Sequence, residues 1–94
     1  MRIEYSKAAG KYISTLDSHV KGRIKTGIEG LTEFPPKGDI SPVRMYSKGT
    51  MRLRIGKHRI IYRYEKSPDN ERFLCILDAD SRGDIYKWGE ACPH

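Results

Sequence analysis

Two adjacent prolines, Pro35 and Pro36, separate segments of the chain that have different hydrophobic periods. Before them, apolar residues recur every three or four positions, which is the period of an amphipathic helix. After them, apolar and polar residues alternate, most clearly in Met51–Ile55, as in a strand with one buried face. Proline ends a helix because it lacks the backbone N–H and clashes with the preceding turn. Helices followed by strands indicate a fold in which helices pack on a sheet.

The individual elements follow from capping residues and turn residues. Ser6 and Asp17 are predicted to begin two helices, after a short first strand over Met1–Tyr5. Further strands are predicted over residues 40–46, 51–55, 59–66 and 72–78, and Pro42 favours an edge position for the first of them. The predicted fold class is α+β, with two N-terminal helices packed on one face of a twisted, mainly antiparallel sheet. Residues 1–94 are expected to form a single domain.

The charge of the chain favours a polyanionic partner. Lys and Arg number 18 against 12 Asp and Glu, which gives a net charge of +6 on 94 residues. Neutralising phosphates with cationic side chains releases condensed counterions, so such a chain is suited to nucleic acid. A basic surface that serves only solubility is the alternative interpretation.

Membrane insertion, secretion and metal binding are not expected. The sequence has no apolar run of about 18 residues, and its amino terminus has no apolar signal core, so we predict a cytoplasmic protein. The cysteines, Cys75 and Cys92, and the three histidines do not have the spacing of metal ligands. We therefore predict no metal site and no cofactor.

The alternating strands predict a cationic sheet face. Arg52 and Arg54 point to one side of their strand, because side chains repeat every two residues, and Arg59 and Arg63 share a side of the next strand. Lys57 lies in the connection between these strands. Like charges placed side by side across strands are destabilising, which favours a bound anion. In the alternative interpretation, these arginines lie over apolar neighbours at the sheet rim.

The carboxy-terminal segment adds Arg82 and Tyr86 after the last strand. Neighbouring cations favour the phenolate form of a tyrosine, so Tyr86 is a candidate proton acceptor or positioning group. The alternative is an amphipathic cover, with the ring of Tyr86 inward and its hydroxyl outward.

Three segments resemble the RelE/ParE superfamily of type II toxins, in the same order and at similar separations. They are Phe34–Ile40, Arg52–Arg63 and Arg82–Lys87, and the second is the most specific. The resemblance implies two helices on a twisted antiparallel sheet and an antitoxin as the protein partner. The RelE branch of the superfamily cleaves messenger RNA, usually in the ribosomal A site, whereas the ParE branch poisons DNA gyrase.

The RelE-like pattern implies roles for individual residues. Arg54, Arg82 and Tyr86 would be catalytic, and Arg52 and Arg59 would bind RNA. Lys57 and Arg63 are added to the RNA-binding residues because of their places on the cationic sheet face. Cleavage would proceed by attack of the ribose 2′-hydroxyl on the adjacent phosphorus, with Lys57 or His58 as the candidate general acid. The competing functions are a ParE-like gyrase inhibitor without RNA cleavage, and a module that only binds a nucleic acid backbone.

Overall fold

The computed structural model describes residues 1–43 and 49–81. In chain order, the elements are β1 (Arg2–Tyr5), α1 (Lys7–Ser14), α2 (Ser18–Gly30), β2 (Asp39–Pro42), β3 (Met51–Ile55), β4 (His58–Lys66) and β5 (Arg72–Asp80). The five strands form one sheet in the order β1-β5-β4-β3-β2. The β1–β5 pair is parallel and the other three pairs are antiparallel.

Both predicted N-caps begin their helices. The hydroxyl of Ser6 accepts a hydrogen bond from the backbone N–H of Ala9 at 3.1 Å and donates to the carbonyl of Leu77 at 2.5 Å. The carboxylate of Asp17 accepts from the N–H of Val20 at 2.9 Å. These side chains replace hydrogen bonds that the first turn of a helix otherwise lacks. Ser6 additionally ties the start of α1 to β5.

The two helices cover one face of the sheet. Ile24, Ile28 and Leu31 of the α2 segment are fully buried against Leu53 of β3 and Ile60 of β4. Gly27 allows this close approach, because a Cβ there would lie 2.5 Å from Cδ1 of Ile55. Packing against the sheet therefore holds α2 in spite of its glycines.

A smaller apolar cluster lies on the second face of the sheet, opposite the helices. It contains Ile61, Phe73, Cys75 and Leu77, all buried, with Val43 packed against them. Residues of this face alternate with helix-facing residues along β4 and β5. The alternation is interrupted once, because Ile61 pairs with Asp78 while Tyr62 pairs with Ile76, so Leu77 is an extra residue in β5.

The predicted α+β fold is confirmed, with limited differences in the strand bounds. The last strand extends two residues beyond the predicted end, to Asp80. The strand containing Pro42 lies at the sheet edge as predicted, and its described part ends at Pro42. The remainder of that prediction falls largely on residues 44–48, outside the described part. No helix within the described ranges is long and apolar enough to cross a membrane.

Candidate nucleic-acid interface

The second sheet face carries a pair of arginines on neighbouring strands, one step from the turn that joins β3 and β4. The β3–β4 register places Arg54 directly opposite Arg59, next to the pair formed by Ile55 and His58. Residues paired in this way have Cα atoms about 4.5–5.5 Å apart. Arg54 is exposed and Arg59 is partly exposed. Two arginine side chains that begin this close together can both reach one bridging anion.

The other two arginines of the predicted face have different surroundings. Arg52 pairs with buried Ile61 and is partly buried, and its Nε has no hydrogen-bond partner among the described residues. Arg63 lies farther along β4, and its Nε donates to Oε2 of Glu65 at 2.5 Å. Arg63 is therefore already occupied by a carboxylate, whereas Arg52 retains a buried donor.

Carboxylates flank the central arginine pair at both ends. The register places Asp39 of β2 opposite Arg54, and Asp80 of β5 opposite Arg59. A row of four side chains thus crosses the sheet in the order Asp39, Arg54, Arg59, Asp80. Within the described ranges, the ion pairs closer than 4.0 Å join Arg2 to Glu4, Lys37 to Glu33 and Arg63 to Glu65. The two central arginines are therefore near carboxylates without forming close ion pairs to them in this part of the chain.

A two-residue turn connects the arginine strands. Gly56 has a positive φ of 59°, and Lys57 is exposed beside it. A positive φ at the first central residue alone is the pattern of a type II′ hairpin turn, which glycine adopts without strain. The turn places the Lys57 ammonium at the tip of the hairpin, beyond Arg54 and Arg59.

His58 does not face the arginines. It is buried, with 7% of its surface exposed, and its Nδ1 lies 2.8 Å from the hydroxyl of Tyr12 in α1. Burial lowers the pKa of His58, and the positive charges of Lys57 and Arg23 lower it further. A neutral His58 that accepts the hydroxyl proton of Tyr12 fits this environment. Of the two candidate general acids, only Lys57 is exposed at the hairpin tip.

Tyr12 connects the helix face to the end of β5. Burial raises the pKa of Tyr12, a hydrogen bond with the side chain of Ser81 lowers it, and the charge of Asp80 raises it. The net direction is upward, so the Tyr12 phenol stays protonated at neutral pH. The pair of Tyr12 and His58 therefore fixes the start of β4 against the last residues of β5, next to Arg59.

Among the described residues, no three His, Cys, Asp or Glu side chains lie close enough together to hold a metal ion. The arginines of this face supply fixed cations. Guanidinium groups present planar donor pairs that match phosphate oxygens and remain charged at all physiological pH values.

The structure brings together part of the predicted site. Arg52, Arg54 and Arg59 share the second face, with Lys57 at its end and Arg63 bound to Glu65. Arg82 and Tyr86 lie outside the described residues, so their predicted roles remain predictions. Sequence analysis missed the flanking Asp39 and Asp80, because only the strand register shows that their carboxylates lie beside the two arginines.

Tyr12 was also missed as a polar residue. Tyr12 lies at helical spacing from Ala9, Ile13 and Leu16, as a residue of an apolar stripe would, and this spacing gives no sign of its hydrogen bond to His58. The parity of His58 with Ile60 could have located the imidazole on the helix face, since alternate residues of a strand share a face.

Among known proteins, a family model described as the ParE toxin of type II toxin-antitoxin system, parDE, matches residues 3–86 of the chain. The structure is similar to the toxin-antitoxin complex RelBE2 from Mycobacterium tuberculosis, with a TM-score of 0.62 and 20% identity over 86% of this chain and 96% of that one.

A second similar structure is the RelB-RelE antitoxin-toxin complex from Methanococcus jannaschii. Its TM-score is 0.60 with 22% identity, covering 90% of this chain and 96% of that one. At these identities the structural likeness establishes the fold. None of the curated protein sequences is similar enough to the chain to count as a match.

Proposed function

We propose that this chain, which belongs to the ParE toxin family of type II toxin-antitoxin systems, stops growth as a metal-independent endoribonuclease. Its substrate would be messenger RNA in the ribosomal A site, in the cytoplasm. The observation that carries this proposal is the facing pair of Arg54 and Arg59, which lack close ion pairs among the described residues. Such a pair is unfavourable for folding and favourable for binding a phosphate.

The reaction is a transesterification within the RNA. The 2′-oxygen of a ribose forms a bond to the adjacent phosphorus, and the bond from phosphorus to the 5′-oxygen of the next nucleotide breaks. The products are a 2′,3′-cyclic phosphate and a free 5′-hydroxyl. A base takes the proton of the 2′-hydroxyl, and an acid gives a proton to the leaving 5′-oxygen.

The arginines suit the charge that develops in this reaction. Negative charge grows on the phosphoryl oxygens in the transition state, and donors already fixed in place stabilise it without rearranging. Arg54 and Arg82 would supply that stabilisation, while Arg52 and Arg59 would hold the flanking backbone. Arginine stays protonated, so none of these residues is the base.

The proton transfers fall to other groups. Tyr86 would orient or deprotonate the 2′-hydroxyl, and Lys57 at the hairpin tip would protonate the leaving oxygen. Lys57 is favoured over His58 because its side chain is exposed, whereas His58 is buried against Tyr12.

Expression of the chain without an antitoxin, followed by primer extension on cellular transcripts, tests the proposal. New 5′ ends should appear in coding sequences, and Arg54→Gln should abolish them. Arg72→Gln is the matched control, because Arg72 stacks on Tyr64 at the other end of the sheet, 4.6 Å from its ring centroid. With purified ribosomes, deoxyribose at the mapped position should block cleavage, and a chelator should not.

A second candidate function is inhibition of DNA gyrase without RNA cleavage. The name of the matching family model favours it, since the model describes ParE toxins. A gyrase supercoiling assay run on the same preparations separates the two. Loss of supercoiling activity with intact transcripts would establish the second candidate and refute the nuclease.

The partner proposed for the chain is a cognate antitoxin. Both similar structures are complexes of a toxin with its antitoxin. A net charge of +6 favours an antitoxin segment rich in Asp and Glu, which would cover the cationic face and block RNA.

A further inference from the structure

A groove of about 670 Å³ lies beyond the tip of the arginine hairpin, on the helix side. Its walls are α2 from Ser18 to Gly27 and the end of β3, and its lining includes His19, Gly22, Arg23 and Ile55. Ile55 follows Arg54 directly but points to the helix face, where it packs with the core. The hairpin tip at Gly56 and Lys57 therefore separates the groove from the arginine face by about two residues, or about 7 Å of strand.

Arg23 places a cation between this groove and the hairpin tip. A Cβ on Gly56 would lie 3.6 Å from Nη2 of Arg23, so the guanidinium lies over the turn. The residue is exposed, and no described acidic side chain forms a close ion pair with it. The carboxylate of Asp17, at the start of the same helix, caps the N–H of Val20.

The floor of the groove is open because of a glycine. A Cβ on Gly22 would meet no atom within 4 Å, so the helix surface at that point leaves space for a ligand. The positive charges of Arg23 and Lys57 both act on buried His58, where they lower its pKa. The electrostatic potential around the hairpin tip is therefore positive on the helix side as well as on the arginine side.

The carboxylates of the central row restrict the direction in which an RNA backbone crosses the sheet. A backbone lying along the row would meet Asp39 beyond Arg54 and Asp80 beyond Arg59. A backbone lying parallel to the strands meets Arg52 on one side of the pair and Lys57 on the other. Repulsion between phosphates and carboxylates favours the second direction, which leads over the hairpin tip.

We propose that the groove between α2 and the hairpin tip is a second binding site for the phosphate backbone of single-stranded RNA, with Arg23 as its principal contact. This inference rests on the proposed function, because the groove continues the path of an RNA held by Arg52, Arg54 and Arg59. Arginine provides a planar donor fork for phosphate oxygens, and the open floor at Gly22 admits the sugar.

The test measures binding of 2′-O-methyl RNA, which cannot be cleaved by 2′-hydroxyl attack. Arg23→Ala should weaken binding of a 12-nucleotide strand several-fold and reduce the slope of log affinity against log salt by about 0.7, the value for one phosphate contact on a single strand. A dinucleotide, whose single internucleotide phosphate cannot contact the arginine pair and Arg23 together, should bind equally to both proteins. Lys25→Ala is the control, because Lys25 lies on the same helix but lines the groove between the helices.

A second pair of variants guards against effects on folding. Gly22→Glu adds a carboxylate to the groove without a clash and improves helix propensity, so it should weaken binding of the long strand while the protein stays folded. Gly10→Glu makes the same change in α1, where a Cβ also meets nothing within 4 Å, and should leave binding unchanged.

The outcomes distinguish this inference from the proposed function. If the wild-type chain binds neither strand, the groove is not a site for free RNA and this inference fails, whereas the proposed function is decided separately by cleavage on the ribosome. If the chain binds the long strand and neither Arg23→Ala nor Gly22→Glu weakens that binding, the groove is not part of the RNA path, although the nuclease proposal stands. If the two variants weaken antitoxin binding and leave RNA binding intact, the groove is a protein-docking site and the inference is overturned.

Discussion

Replacing Arg54 by glutamine tests whether this arginine serves function or stability. The substitution removes the charge and shortens the side chain by two atoms, while an amide with two N–H donors remains. Arg54 is exposed and lies between Arg59 on one neighbouring strand and Asp39 on the other. Its charge is therefore repelled from one side and attracted from the other.

The two interactions nearly cancel in the free energy of unfolding. Unit charges about 5 Å apart in water interact by about 0.8 kcal/mol, and exposed pairs rarely exceed that value. Repulsion from Arg59 and attraction to Asp39 have this size and opposite signs, so Arg54→Gln should change stability by less than about 0.5 kcal/mol. The reaction should nevertheless slow by about two to three decades, as when one transition-state donor is lost.

Asp39→Asn is the complementary variant. It removes the attraction and leaves the repulsion between the arginines, so it should lower stability by up to about 0.8 kcal/mol at low salt. The same change removes a carboxylate from the edge of the site and should tighten RNA binding. Stability and binding are thus expected to move in opposite directions in this variant.

Urea unfolding at low and high salt gives the stabilities, and single-turnover cleavage with mapped ribosome complexes gives the rates. Added salt should reduce the stability differences, because it screens exposed charges. A loss of more than about 1.5 kcal/mol in Arg54→Gln would mean that Arg54 supports packing. Unchanged cleavage in the same variant would remove Arg54 from the active site.

Three further predictions follow from the same surfaces. The lowered pKa of His58 implies that its contribution to stability is complete above about pH 6.5, its unfolded value, and is lost as pH falls through its folded pKa. Urea unfolding between pH 7.5 and 4.5 should show this loss of stability, and His58→Asn should make the unfolding free energy depend less on pH. Tyr86→Phe should slow single-turnover cleavage and leave the affinity for 2′-O-methyl RNA within about twofold, since only a hydroxyl is lost; an unchanged rate would exclude the proposed role. Association with the antitoxin should slow as salt rises while dissociation changes little. Association rates from stopped-flow mixing that do not change with salt would contradict an electrostatic interface.

The order and type of the elements could be predicted because local signals agree with one another. Ser6 and Asp17 precede apolar stripes of helical spacing, and both serve as caps in the structure. Pro42 marks an edge strand, where a missing N–H costs no ladder hydrogen bond. Each of these signals depends on a few neighbouring residues, which a sequence displays directly.

The surroundings of the arginines were less accessible from the sequence. Arg52, Arg59 and Arg63 look equivalent as cations on alternating strands, yet Arg63 is bound to Glu65 and Arg52 has a buried Nε without a described partner. These differences arise from an ion pair within β4 and from the burial of the Arg52 side chain, both of which depend on side-chain conformations. The extra residue at Leu77 also shifts which β5 residues face the arginines, and no turn or glycine in the sequence marks it.

The facing of Arg54 and Arg59, in contrast, follows from the hairpin turn alone. A two-residue turn at Gly56 and Lys57 pairs Ile55 with His58, and each further step along both strands pairs the next two residues. Arg54 then meets Arg59 one step from the turn. A slip of one residue would move the side chains of one strand to the opposite face, and the arginine pair would be lost. The positive φ of Gly56 holds the short turn, so this glycine acts on the site through the register and without touching the ligand.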